Sequence, residues 1–309
     1  MTSYLFIVNP HARNGDIGKM WPEVEEEIKK RGLNYAVEMT KEPKHAIDIA
    51  RTKGEEFDVI VATGGDGTVN EVANGLYGLD TTFGILPLGN GNDFAIGLKF
   101  DDNFHRSLDV LEQGLTCDLA VGLAKADDDE RYFINIVDTG VGATVSVASF
   151  TEAKWLRGFL KYYYLALKKL FQYRLVKTKM KIDDQEEFET DLLIIAVGAG
   201  SRFGGGFHIL PDNYHYREDF GILLAENIRK LRQLYLLQVL KPGKHLGKKG
   251  VTYTRGNKIS LKLGKPLPVE VEGEIVNHRA TNVSFEVTPH RIKTIVPQEL
   301  IDIKNKEIS

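Results

Sequence analysis

A chain of 309 residues, 42% of them apolar and 27% charged, has the make-up of a globular protein long enough for two cores, and its apolar runs, such as Leu192 to Val197, are far too short to cross a bilayer. The single cysteine, Cys117, excludes a disulfide framework and a cysteine-rich zinc site, which fits a reducing cytosol. The net charge of −3 hides a lopsided distribution: 227–269 contain no Asp or Glu but eleven Lys and Arg, which leaves 29 basic against 43 acidic residues, a balance of −14, for the rest. Such asymmetry points to an anionic partner (phosphates, nucleic acid or an acidic membrane leaflet), unless it reflects only solvated strand faces.

In chain order, Tyr4 to Val8 reads as a first strand, since Asn9 and Pro10 cut its apolar run and no basic segment precedes it as in a secretory leader. Trp21, Val24 and Ile28 recur at helical spacing, Glu25 and Lys29 pair at i, i+4, and Gly32 supplies a stop. Asn34 to Met39 is strand two, His45 to Lys53 a second helix, and Asp58 to Ala62 a strand apolar after its first residue, hence buried on both faces. The turn Gly64 to Thr68 follows, then helical spacing at Val69, Val72, Ala73 and Leu76, and a fourth strand at Phe83 to Leu86. This alternation predicts a parallel α/β sheet. Beyond Asp118 the pattern becomes strand-like, interrupted by one helix, Lys154 to Phe171, and by the mixed stretch Asn227 to Leu240. That half is expected to be a β-sandwich or half-barrel. The solvated acidic turn at Asp127 to Glu130 marks the boundary, giving domains 1–124, with 291–309 packing back, and 125–290.

The chemistry concentrates in glycine-rich turns. Gly64-Gly65-Asp66-Gly67-Thr68 lies between a strand and a helix, where glycines let backbone N–H groups approach phosphate oxygens and the helix offers its positive end. A carboxylate facing phosphates is repulsive unless a divalent cation lies between them, so Asp66 implies Mg²⁺; the plain alternative is a tight turn with Asp66 as the helix N-cap. Pro87-Leu88-Gly89-Asn90-Gly91-Asn92-Asp93-Phe94 repeats the design after the fourth strand, and loops after parallel strands emerge at one sheet edge, so Asp66 and Asp93 are expected to converge there with Asn9-Pro10. Glu270, Glu272 and Glu274 alternate with Val269, Val271 and Gly273, and on a regular strand they would share one face. Crowding would raise at least one carboxyl pKa and make a better base, unless Gly273 bends the strand.

Together, VNPHA (8–12), GGDGTVNEVANGL (64–76), LPLGNGNDFA (86–95), NIVDTGVGA (135–143), RFGGGFHILPD (202–212) and VEGE (271–274) make the sequence resemble the bacterial diacylglycerol kinase family of lipid kinases, over nearly the whole chain. The resemblance implies an N-terminal α/β nucleotide-binding domain like that of NAD kinases, a C-terminal β-sandwich, and an active site in the cleft between them. It implies that Asn9, Pro10, His11, Ala12, Arg13, Thr40, Gly64, Gly65, Asp66, Gly67, Thr68, Val69, Asn70, Glu71, Gly89 and Asn90 contact ATP, that Asp66 and Asp93 hold the catalytic Mg²⁺, and that Glu274 accepts the proton of a lipid hydroxyl. A second, structural metal would be sought at Asp212 and Asp219, although Asn213 to Phe220 departs from the family pattern. Arg13 stands where the family has glycine, Asn90 replaces Thr or Ser, and Glu272 replaces Asp.

The acceptor implied is diacylglycerol or a related membrane lipid, met at the inner membrane face by a cytoplasmic, peripheral protein through the basic stretch Arg229 to Lys265. No nucleic-acid partner is implied, and a homodimer stays open. The helix Lys154 to Phe171, with Lys154, Arg157, Lys161 and Lys168 on one face and Trp155, Phe159, Tyr162, Ala166 and Leu170 largely opposite, either docks on the membrane or covers a sheet. Gly204 to Gly206 is either a mobile wall for lipid entry or a run of turn glycines. Two rival readings are an NAD kinase, against which Asn92-Asp93-Phe94 and Gly273-Glu274 speak, and a nucleotide-binding regulator without catalysis.

Overall fold

A computed structural model of the chain describes residues 1–156, 158–211 and 213–308, so the expectations for Arg157 and Asp212 lie outside the described residues. It divides into two compact units, Met1–Leu119 with His290–Ser309, and Ala120–Pro289.

In the first unit the elements run β1 (Ser3–Val8), α1 (Asp16–Lys30), β2 (Asn34–Met39), α2 (His45–Lys53), β3 (Val59–Gly64), α3 (Asp66–Leu76), β4 (Thr82–Pro87), α4 (Asp93–Gly97) and α5 (Phe104–Gln113). The strands pair in parallel in the order β2-β1-β3-β4. From β1 the chain moves out to β2 and returns to the other side of β1 as β3, so the order reverses between β1 and β3. In an open parallel sheet the carboxyl ends of such a strand pair flank the ligand crevice. Ile17, Trp21, Val24 and Ile28 of α1 and Leu108 and Leu111 of α5 pack on Tyr4, Phe6, Val8, Val59, Val61 and Leu86, which alternate along their strands toward one face. Each such side chain, fully buried, contributes about 1.5–3 kcal/mol of transfer free energy.

On the other helices, α2 and α3 lie against each other so closely that a Cβ on Gly75 would meet Ile47 O at 2.5 Å and the Ala50 Cβ at 2.6 Å. Backbone and helix-borne Cβ cannot yield as a flexible side chain would. Gly75→Val is therefore expected to cost about 2–3 kcal/mol, read as a lower urea midpoint for the first unit.

The chain passes into the second unit within β5 (Thr116–Ala126) and continues through β6 (Asp129–Phe133), β7 (Ile136–Gly140), α6 (Val141–Thr151), α7 (Gly158–Gln172), β8 (Val176–Ile182), β9 (Phe188–Gly198), β10 (Phe220–Glu226), α8 (Lys230–Leu240), β11 (Val251–Gly256), β12 (Lys258–Val271) and β13 (Glu274–Ile295). The ladders there are antiparallel, and β9 and β12 carry the architecture. Each pairs with β8 along one half and with β7 along the other, β12 shifting register between Lys262 and Leu267. The two halves therefore wrap one sandwich core that includes Phe133, Val137, Leu192, Val197, Phe220, Ile222, Leu261, Val269 and Phe285. After β13, α9 (Gln298–Ile308) belongs to the first unit, where Val296 N donates to Leu115 O and Leu300 is fully buried.

Three expectations are corrected here. The compact units divide at Leu119, five residues before the expected 124, and of the acidic run only Asp127 and Asp128 form the β5–β6 hairpin turn inside the second unit, Asp129 and Glu130 opening β6. Asp127 there has φ 51 and accepts from the backbone N–H of Thr281 and Asn282. In place of one helix, the described residues of the second unit hold α6, α7 and α8. Val141–Thr151 is small and apolar all round, so it lacks the stripe by which a helix is recognised in sequence. The helix expected from Lys154 begins instead at Gly158, with Tyr162, Ala166 and Leu170 against the core as the covering role predicts, while Trp155 is 76% exposed.

Candidate functional site

The first unit gathers the phosphate-binding candidates by backbone contact. Leu88 N and Gly89 N both donate to Gly64 O, at 2.9 and 3.1 Å, which ties the loop after β4 to the end of β3. A Cβ on Gly89 would stand 2.4 Å from the Cα of Gly65, so the two glycine turns touch main chain to main chain. Asp66, the first residue of α3, reaches across: its Oδ1 accepts from Phe94 N at 3.0 Å. It thus faces the start of α4 instead of capping its own helix, for which Gly65 is the N-cap. Burial pushes the Asp66 carboxyl above its ordinary range, while the N–H groups of Phe94, Asp93 and Asn92 pull it down. Asp93 is buried beside it at the first position of α4, and Asn92, with φ 51, turns the chain by donating to Gly89 O at 3.2 Å.

The loop after β1 joins the same edge. Asn9 Nδ2 donates to Thr68 Oγ1 at 3.1 Å, and Asn9 Oδ1 accepts from the N–H groups of His11 and Ala12. This bridge spans the carboxyl ends of β1 and β3, the place where the strand order reverses. Arg13 and Asn14 then adopt φ 54 and 57 ahead of Gly15 at 85, so the left-handed turn that favours glycine is made here by an exposed arginine. Thr40 sits buried at the end of β2, its N–H on Val8 O, and Asn90 is exposed at the tip of its loop. Gly67 is exposed and Asn70 buried. The Glu71 carboxylate accepts from Lys44 N and Ala46 N at the start of α2.

The second unit separates the three glutamates. Glu272 and Gly273 have φ 53 and 91 and form a two-residue hairpin turn between Val271 and Glu274, the primed type that fits twisted strands. The turn breaks the shared face. Glu272 Oε1 accepts from Ile134 N and Asn135 N at 2.6 Å each, and Glu274, the first residue of β13, is held by Arg131 at 2.5 Å. Glu270 points inward. It stands opposite Asp138 in the β7–β12 ladder, 2% exposed against 0%, with its carboxyl hydrogen-bonded to that of Asp138. Two carboxyl oxygens bond only through a shared proton, and burial first, then the charge of Asp138, raises Glu270 well above the ordinary carboxylate range. The like-charge crowding expected among the three glutamates is thus found at Glu270, with Asp138 as its partner, behind the turn.

Asp219, a candidate for a structural metal, has a cation beside it in the chain itself. Arg255 donates to both carboxylate oxygens of Asp219, to Asp219 O and to Asn213 Oδ1, so a guanidinium fills the oxygen cluster in which Asp219 was a metal candidate. Gly204, Gly205 and Gly206 all have positive φ inside a loop closed by the mutual backbone bonds of Phe203 and Phe207, which is the turn reading of that run. Sequence reasoning missed Arg131, Arg255 and the Asp138–Glu270 pair. Of these, Glu270 stands out in the sequence for crowding, and Asp138 gives a signal as a lone carboxylate within an apolar strand run.

Two family models match successive parts of the chain. The diacylglycerol kinase catalytic domain matches residues 3–124, and the YegS C-terminal NAD kinase beta sandwich-like domain matches residues 135–296. A diacylglycerol kinase of Staphylococcus saprophyticus is 27% identical over 305 residues, 98% of this chain and 97% of its own length. In fold, the chain is similar to the crystal structure of a diacylglycerol kinase from Bacillus anthracis, with a TM-score of 0.71 at 19% identity over 97% of this chain and 98% of that one. It is similar at a TM-score of 0.55 and 15% identity, over 99% and 98% of the two chains, to an NAD kinase from Archaeoglobus fulgidus solved in complex with ATP. With the diacylglycerol kinase catalytic domain ahead of it and spanning more than half of the residues itself, the second domain places the chain in the family of the YegS C-terminal NAD kinase beta sandwich-like domain.

Proposed function

We propose that this kinase transfers the γ-phosphoryl group of ATP to the hydroxyl of diacylglycerol or a related membrane lipid, giving a phospholipid such as phosphatidate. The contact of the Gly65 and Gly89 turns at the carboxyl edge of the parallel sheet, beside the switch point that Asn9 and Thr68 bridge, carries the reading. Backbone N–H groups there, with the positive end of α3, suit the ATP phosphates, and Asn9, Thr68 and Asn90 line the same edge. The hard oxygen donors Asp66 and Asp93, on joined loops, suit Mg²⁺, which when bound neutralises charge on the phosphates. Among the described residues no group of three or more His, Cys, Asp or Glu side chains could hold a metal, so phosphate and water oxygens would complete that ion's shell. Glu274 takes the proton of the acceptor hydroxyl, and Arg131 orients its carboxylate. The protein works at the inner face of a membrane, held peripherally by the basic stretch Arg229 to Lys265.

Labelled ATP and Mg²⁺ with diacylglycerol, ceramide, sphingosine and undecaprenol in mixed micelles, and NAD as the control acceptor, test this. Label in one lipid product is expected. Label in NAD alone would make the chain an NAD kinase, and ATP binding with no labelled product would make it a regulator.

A further inference from the structure

We propose that Glu270 is a positioning residue for Glu274: its buried carboxyl holds the Gly273 N–H and so fixes the turn from which Glu274 meets a substrate hydroxyl. The inference rests on the lipid-kinase reading and its base assignment for its purpose, and on the backbone of the turn for its evidence.

A two-residue hairpin closes through the pair that flanks it, here Val271 and Glu274, and the ladder gives no partner to the N–H groups of the two turn residues. An exposed turn leaves such donors to water. Here both are turned to the protein: Glu272 N donates to Ile136 O at 3.2 Å, and Gly273 N donates to Glu270 Oε1. Gly273 itself is exposed, yet its N–H meets a carboxyl that is almost wholly buried. Glu272, a residue other than glycine at φ 53, keeps that left-handed conformation because its surroundings fix it. Its own carboxylate adds the bonds from Ile134 N and Asn135 N, so the tip is tied to β7 and the residues before it through Glu272, and to β12 through Gly273.

Packing alone does not call for a carboxyl at this position. Val269 and Val271 on either side are fully buried, so β12 is covered on both faces here, and an apolar side chain between them would avoid the cost of burying a polar group. What aims Glu270 is Asp138, which stands opposite it in the β7 ladder and is itself pinned by Ala143 N of α6 at 2.6 Å. Bonded to Asp138 on one side and to Gly273 on the other, Glu270 is a strut between the core and the hairpin. Glu274 is the residue directly after Gly273, with its carboxylate gripped by Arg131 at 2.5 Å. Arg131 thus sets where the Glu274 oxygens point, and Glu270 sets where its backbone stands. A base displaced by about 1 Å loses on the order of a hundredfold in rate, so loss of the strut falls on the chemical step.

Hydrogen exchange of the Gly273 amide, followed on the full wild-type chain, tests the bond itself: exposed as Gly273 is, its N–H should exchange about a hundredfold more slowly than that of an unstructured glycine. Kinetics on the labelled-lipid assay test its purpose. Glu270→Met keeps the length of the side chain without an acceptor, and should lower kcat about tenfold to a hundredfold with the KM for ATP unchanged, since the residues that suit ATP belong to the first unit. Glu270→Gln, whose oxygen can accept from Gly273 N while its nitrogen donates to Asp138, should restore kcat to near the wild-type value. Asp138→Asn leaves Glu270 and the Gly273 bond in place and should keep kcat as well, which separates loss of the strut from a general loosening of the core. An unprotected Gly273 amide would overturn the proposal even if Glu270→Met does not fold, as would an equal loss of kcat in Asp138→Asn. Lipid turnover with wild-type kcat in folded Glu270→Met would remove the positioning role alone. A protected Gly273 in a protein with no turnover on any lipid would instead end the kinase reading, and the positioning role with it, while the bond stands.

Discussion

Glu274→Gln is expected to lower kcat by about 10³-fold, the share that a positioned general base supplies, while the KM for ATP changes little. Glutamine keeps an oxygen to accept from Arg131, so the hairpin at Glu272 and Gly273 should survive and the melting temperature should stay close to that of the wild type. Asp66→Asn should cause a loss of the same order, with a different signature. Its oxygen can still accept from Phe94 N and hold the two glycine turns together, but it no longer carries the charge that suits a divalent cation. Its kcat should therefore recover in part as Mg²⁺ is raised, whereas that of Glu274→Gln should not. Steady-state kinetics on the labelled-lipid assay, with a thermal melt as the folding control, separate the cases. Wild-type turnover in folded Glu274→Gln would end the base assignment.

The second large effect is on stability and its pH dependence. Asp138 Oδ1 accepts from Ala143 N at 2.6 Å, and the neighbouring Gly142 leaves room for it, since a Cβ there would stand 2.6 Å from that oxygen. Glu270 Oε1 accepts from Gly273 N, and the carboxyls hydrogen-bond each other. Tyr173, whose hydroxyl burial raises most and the Asp138 charge raises further, is the other titratable group facing Asp138. Burial raises both carboxyls above their unfolded values, so the folded chain holds more protons than the unfolded one as pH rises past the ordinary carboxylate range. Their contribution to stability is therefore present at acid pH and is lost as pH climbs through the folded titration. Glu270→Gln replaces the shared proton by an amide N–H that Asp138 can accept at any pH. The variant should gain about 1–3 kcal/mol near pH 8 and little near pH 5, read from urea midpoints at the two conditions. An equal change at both would mean that the pair carries no shared proton.

The sequence alone was enough for everything that depends on local periodicity. Alternation of strand and helix patterns located every strand of the first sheet to within a residue or two, because strands buried on both faces and amphipathic helices write their geometry into the order of side chains. It also foresaw that the loops of Asp66 and Asp93 meet, since parallel strands send their following loops to one edge whatever the side chains are. Helix α6 was invisible because its apolar residues and its Ser and Thr are spread round the helix, so no single polar face sets its period. Glu270, Glu272 and Glu274 show the other limit. Their spacing promises one face, yet two residues at positive φ reverse the chain between them and send each carboxylate to a separate partner: Asp138, the amides of Ile134 and Asn135, and Arg131. Those partners lie more than a hundred residues away in sequence. Which residues carry charge was fixed by composition and order, and which charges are buried, shared or left facing solvent was decided only when distant strands were brought side by side.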